Sequence, residues 1–245
     1  MESKKIEFTG STGENLSAKI DLPDGDTKAC ALFAHCFTCS KDLKAVGNIT
    51  KALVEIGIAT FRFDFTGLGQ SEGDFADTNF SSNVDDLVKA HEYMDKEFSA
   101  PSILIGHSLG GAAVLQASHK MEAVKAVATT AAPAEPAHVK ENFEMSLDEI
   151  NEKGEAKVSL AGRPFTIKKQ FIDDLEETRM KKFIHNLGKA LIVFHSPIDN
   201  TVAIDNASKI FIAAKHPKSF ISLDKADHLI SNKEDSIYIG KVLGT

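Results

Sequence analysis

Between Ile103 and Leu115 the chain reads ILIGHSLGGAAVL, and few backbone paths satisfy it. SILI (Ser102 to Ile105) is a short apolar run with two β-branched residues, the composition of a buried strand. LGGAAVLQASHK, which follows, is rich in Ala and Leu and reads as a helix. Gly106 and Gly110 stand two residues either side of Ser108, and the missing Cβ at each lets two backbone segments approach around a tight turn. Strand, turn and helix in that order hold the serine of G-x-S-x-G in a strained conformation with its Oγ exposed. Such a serine is useful only if later segments supply a base and an acid.

Bulk properties limit the setting. The 245 residues predict one large α/β domain spanning 1–245, and 42% hydrophobic residues suffice for its core. A net charge of −7, with no cluster of Lys and Arg, disfavours nucleic acid as a partner. The start, MESKKIEFTG, lacks the apolar stretch of a signal peptide, and runs such as ACALFA (Ala29 to Ala34) are too short to span a bilayer. Neither a membrane nor a leader is therefore expected. Cys30, Cys36 and Cys39 lie within ten residues, an odd and tight set that makes no disulfide framework; a reducing cytoplasm is the expected location.

The chain opens as a hairpin, KKIEF and LSAKIDL around TGSTGEN, and then alternates strands with helices. ACALFAH and IATFRFDF read as strands, Lys44 to Gly57 as an amphipathic helix, and Ser82 with Asp85 as the capped start of the next helix. After SILI and VKAVATT the alternation breaks from about Pro133 to Asn186. It resumes with KALIVFH, SFISL and a last helix near EDSIYIGKV. This order predicts a mostly parallel sheet with helices on both faces. The interruption is expected to form a small cap containing a hairpin within AKVSLAGRPFTIKKQF. Ligands of such sheets sit at the carboxyl ends of the strands, where Ser108 falls.

A serine hydroxyl needs a neighbouring base, and the base needs a third group to fix its tautomer. His228, in LDKADHLIS, follows the last strand and is the candidate base. His35, His107 and His195 also end strands and read as hydrogen-bonded structural residues. Asp199, in VFHSPIDNTV, is the candidate acid. Glu135 is its rival and is expected at the cap entrance in water, while Asp205 reads as a helix start and Asp227 as facing away. A developing oxyanion also needs donors. The N–H groups of Leu109 and of Phe37, in HCFTCS, are the candidates, and Phe165 and Phe171 of the cap are expected to shape the substrate pocket.

With Ser108, Asp199 and His228 in this order, the chain resembles an α/β-hydrolase over essentially its whole length. FRFDFTGLGQSEG is similar to a strand-and-loop signature of that family, which implies a structural role for Asp64. FAHCFTCSKDL, RFDFTGLGQSEGDFADTNFSSNVDDL and HPKSFISLDKADHL resemble the hydrolase half of bacterial fusions with an OsmC-type peroxidase domain. The chain stops after its last predicted helix, so that second domain is not expected here. The cap hairpin looks like that of small feruloyl and acetyl esterases. Many relatives carry His-Gly ahead of the oxyanion donor, whereas this chain has Cys36, a bulkier residue less tolerant of unusual backbone angles.

The resemblance implies a carboxylesterase-like serine hydrolase acting on small acyl esters, with no cofactor and no metal. An amide, a thioester or perhydrolysis would use the same three residues. A reading of another class is a thiol redox or metal protein built on Cys36-x-x-Cys39. Two sequence features oppose it: the chain is much larger than a thioredoxin fold, and a second spaced ligand pair is missing. The expected partner is a small ester, with a homodimer left open.

Overall fold

The computed structural model describes residues 1–160 and 162–245. Strands β1 (Glu2–Thr9) and β2 (Asn15–Leu22) form the antiparallel opening hairpin. Alternate residues Leu16, Ala18 and Ile20 of β2 are buried, as a strand with one covered face requires. There follow β3 (Ala29–Ala34), α1 (Lys44–Glu55), β4 (Ile58–Phe63), α2 (Phe80–Glu97), β5 (Ile103–His107), α3 (Leu109–Ala117) and β6 (Ala126–Thr130). Residues 131–189 hold a 3₁₀ stretch, α4 (Leu147–Lys153), β7 (Glu155–Leu160), β8 (Arg163–Lys168), α5 (Lys169–Glu177) and α6 (Met180–His185). The chain ends with β9 (Ala190–His195), α7 (Asp205–Ala213), β10 (Lys218–Ser222) and α8 (Lys233–Leu243).

Among the described residues eight strands join in one sheet, ordered β1-β2-β4-β3-β5-β6-β9-β10. β2 pairs antiparallel with β4, and every later pair is parallel. Two apolar layers cover it. Phe80, Val84, Leu87 and Met94 of α2 pack with Ala112 to Leu115 of α3 on one face, together with Ile210 of α7. Ala45, Ile49 and Leu53 of α1 meet Ile239 of α8 on the other, over Phe33, Ile105 and Phe194. The spacing of three and four in α2 is the stripe a helix lays on a sheet. This is the α/β-hydrolase arrangement, and it brings the carboxyl ends of β3, β5, β6, β9 and β10 to one edge.

The start of α2 differs from expectation. Asn79 caps it by accepting from the Ser82 N–H at 2.8 Å, while Ser82 Oγ accepts from the Asn79 N–H at 2.9 Å. Ser82 is thus the third residue of a reciprocal cap, one turn inside the helix. Asp64, just beyond β4, is fully buried and pairs with Lys41 Nζ at 2.6 Å, while the Lys41 and Gln70 N–H groups donate to it as well. Every carboxylate oxygen is engaged in holding the loops after β3 and β4 together.

The segment between β6 and β9 is docked through polar contacts. Ser81 donates from its N–H and its hydroxyl to Asp174 of α5, at 2.9 and 2.5 Å. Gln170 accepts from Asn79 Nδ2 and donates to the Thr78 carbonyl. The β7–β8 hairpin is antiparallel, pairing Leu160 with Arg163 at its tip.

Candidate active site

Ser108 sits between β5 and α3 with φ +54° and ψ −126°, a backbone state that a non-glycine residue adopts only when its surroundings impose it. Here they do. Its N–H donates to the Thr130 carbonyl at 2.9 Å, and its carbonyl accepts from Gly111 at 2.8 Å. A Cβ on Gly106 would stand 2.3 Å from the Gly110 carbonyl oxygen, and one on Gly110 would stand 2.4 Å from that of His35. The two glycines therefore let the helix start seat against the ends of both β5 and β3.

Loops from three strand ends meet at the serine. His228 Nε2 lies 3.0 Å from Ser108 Oγ, and His228 Nδ1 lies 2.8 Å from Asp199 Oδ2. The other carboxylate oxygen of Asp199 accepts the N–H groups of Thr201 and Val202, at 2.8 and 2.9 Å. Burial alone would push this carboxyl up, but hydrogen bonds from His228 and the Val202 and Thr201 N–H groups, with the nearby imidazole charge, hold it below the usual range. It is a carboxylate wherever the protein is folded near neutral pH. Glu135 stands elsewhere. It is half-buried, not at a watery entrance, and its Oε2 accepts the Met180 N–H at 2.9 Å, anchoring the start of α6.

Ser108 and His228 open into a cavity of about 510 Å³. Phe37 and Leu109 line it too, and among the described residues no hydrogen bond engages the N–H of either one. Two free N–H groups beside a serine hydroxyl are the donor set that an oxyanion requires.

Residues 26–161 match the family model described as serine aminopeptidase, S33 (Hydrolase_4). The esterase domain of a Rhodothermus marinus protein is 47% identical, covering 100% of this chain and 97% of that one with a TM-score of 0.81. The chain belongs to this α/β-hydrolase family. Est1E of Butyrivibrio proteoclasticus, solved with ferulic acid, shares the fold at 20% identity, 96% coverage of both chains and a TM-score of 0.79. Mouse α/β-hydrolase domain-containing protein 10 does so at 21% identity, covering 98% of this chain and 96% of that one, also with a TM-score of 0.79. Among curated proteins none matches in sequence.

In this α/β-hydrolase the turn after β3 departs from expectation in two ways. Cys36 and Cys39 are joined by a disulfide, one local bridge across a three-residue step, while Cys30 is free and buried in β3. Cys36 also needs no glycine-like backbone. The positive φ of the turn, +63°, falls on Thr38. The turn is held without sulfur as well: the Cys36 carbonyl accepts from the Cys39 N–H at 3.1 Å and from His35 Nδ1 at 2.8 Å. Replacing both cysteines with Ser should therefore lower turnover by less than about tenfold, and dithiothreitol should act similarly on the parent protein. Losing one oxyanion donor costs about 10²–10³. A fall of that size in a folded Cys36→Ser, Cys39→Ser variant would show that the bridge, not the hydrogen bonds, places Phe37.

The three other strand-end histidines hold the hydrolase's three site loops. His35 Nδ1 donates to the Cys36 carbonyl beside Phe37, and His107 Nε2 donates to the carbonyl of His228 itself at 2.7 Å. His195 Nε2 donates to the Val202 carbonyl, next to the turn that carries Asp199, at 2.8 Å. The sequence assigns them only a structural role; their ends-of-strand positions are the signal, and of the carbonyls they meet only that of His228, paired with His107, is distant in the chain. All three are buried, and burial lowers their pKa values, that of His107 to about 4 with a contribution from His228. The fold therefore needs them neutral, whereas an unfolded histidine binds a proton near pH 6.5. Below that pH the unfolded chain holds more protons, so stability is lost as the medium is acidified, about 3 kcal/mol by pH 4 from His107 alone. Thermal melts between pH 7.5 and 4.5 check this, and a midpoint constant down to pH 5 would exclude it.

Proposed function

We propose that this hydrolase cleaves small carboxylic esters through an acyl-enzyme on Ser108. The observation that supports it most is the unbroken line of hydrogen bonds from Ser108 Oγ through His228 to Asp199, opening on a cavity. In this reading Ser108 Oγ attacks the ester carbonyl carbon while its proton passes to His228 Nε2. Asp199 stabilises the resulting imidazolium, and the Phe37 and Leu109 N–H groups take the carbonyl oxygen as it becomes negative. Collapse breaks the bond to the alcohol, which leaves with the proton from His228. Water then repeats the sequence on the acyl-enzyme and releases the acid.

An aminopeptidase reading, suggested by the family model's description, is less well supported. Recognition of a free ammonium calls for a carboxylate, and among the described residues lining the cavity none is Asp or Glu. Labelling by a fluorophosphonate, followed by rates on p-nitrophenyl esters, an amino-acid anilide and an acyl thioester, tests the proposal. Labelling of Ser108 with ester turnover is expected. Turnover of the anilide alone would move the function to peptides.

Phe165 and Phe171 do not line the cavity as expected; Phe171 stacks behind Phe37 at 5.6 Å between ring centres, and Phe165 meets Phe75. The cap residues that reach it include Val139, Asn142, Leu160 and Arg163. Leu160→Ala should therefore shift the preferred acyl chain upward by about two carbons, each buried methylene being worth about 0.8 kcal/mol. Comparing kcat/KM from acetate to octanoate checks this, and an equal loss at every length would remove Leu160 from the acyl site.

A further inference from the structure

We infer that Arg163 is a specificity residue selecting esters that carry a second, ionised carboxylate. The inference rests on the ester-hydrolase reading and goes beyond it by naming the substrate class. Arg163, first residue of β8, is exposed and lines the cavity that Ser108 opens into. One N–H donates to the Thr38 carbonyl, next in the chain to Phe37, and the guanidinium carbon lies 5.4 Å from the centre of the Phe165 ring. These two contacts hold the side chain over the oxyanion turn. Among the described residues no Asp or Glu pairs with it, and Thr38 is its one hydrogen-bond acceptor. A guanidinium has five N–H donors in a planar fork that matches a carboxylate bidentately. The other donors of that fork meet no acceptor among the described residues, and Arg163 is exposed at the cavity.

The remaining lining sharpens the contrast. His138 has both ring nitrogens engaged, with Glu141 at 3.0 Å and the Thr201 carbonyl at 2.9 Å. Asn142 Nδ2 donates to the Val139 carbonyl. Arg163 is thus the one Lys or Arg among the described residues lining the cavity, and the one whose donors are not already taken up by the protein's own acceptors. The protein as a whole carries −7, so its general field repels anions, and any preference for them must arise locally.

The test uses the intact protein and pairs of activated aryl esters. Mono-p-nitrophenyl esters of dicarboxylic acids from glutarate to suberate are each compared with the neutral ester in which acetyl replaces the free carboxylate. A second pair, 4-acetoxybenzoate and its methyl ester, places the charge on the alcohol half. The expected result is a kcat/KM at least about tenfold higher for the anion in one or more pairs, falling in 0.5 M NaCl as screening predicts. Arg163→Gln should bring that ratio to about one, and Arg163→Lys should restore part of it. A ratio taken within one variant is insensitive to how much of it is folded. A wild-type ratio of one or less in every pair, or an unchanged ratio in Arg163→Gln, overturns the inference while leaving the hydrolase reading intact. Failure of all neutral esters together with failure of fluorophosphonate labelling would remove the reading beneath it.

Discussion

Ser108→Ala and His228→Ala should each reduce ester turnover by about 10⁶-fold, the loss seen when either member of such a pair is removed from a serine protease. The double variant should be no worse than either single one. Once the hydroxyl is gone the base has no proton to accept, and once the base is gone the hydroxyl stays neutral. Both variants should fold. Ser108 Oγ has His228 as its hydrogen-bond partner, and Ala at 108 bears the same positive φ at the same cost. The bond from His107 reaches the backbone carbonyl of residue 228, which His228→Ala keeps. Rates on an activated ester, with circular dichroism for folding, decide the matter. A double variant losing the product of the two single losses would mean that the residues act separately.

Asp199→Asn should lower kcat by about 10⁴, the effect of the corresponding change in a serine protease. The local geometry dictates the direction. The N–H groups of Thr201 and Val202 require an acceptor, so the Asn carbonyl oxygen stays with them. Its NH₂ then faces His228 Nδ1 and donates to it, which forces the imidazole proton onto Nε2. A protonated Nε2 cannot take the proton of Ser108. Glu135→Gln, by contrast, keeps an oxygen for the Met180 N–H and should change kcat by less than about threefold. A near-normal Asp199→Asn beside a crippled Glu135→Gln would reassign the acid to the β6 end.

Much of this arrangement is legible in the sequence because the relevant signals are local. The apolar run before Ser108 and the flanking glycines define strand, turn and helix within thirteen residues, and chain order then singles out Asp199 and His228 at later strand ends. What stays hidden depends on partners far along the chain. Glu135 looks like a free carboxylate until α6 supplies the Met180 N–H. Phe165 and Phe171 look like pocket residues, yet they pack against Phe37 and Phe75 of the core domain, an arrangement periodicity does not encode. For a different reason, the α2 cap lies three residues before the position the sequence predicts. In a reciprocal cap both Asn79 and Ser82 are good capping residues, and composition does not rank them.

The close approach at Gly110 has a mechanical consequence. The helix start that follows Ser108 rests on the carbonyls of Ala34 and His35, the last support before the turn that carries Phe37. The proposed nucleophile and oxyanion donor are thereby geared together: displacing one backbone displaces the other, so their separation is a property of the scaffold. The cap, by contrast, meets the site loops through side chains: Arg163 on the Thr38 carbonyl, Phe171 against Phe37 and His138 on the Thr201 carbonyl. Sequence change at cap positions outside those contacts can therefore retune what is admitted, while the same drift at Gly106 or Gly110 would move Ser108 relative to Phe37.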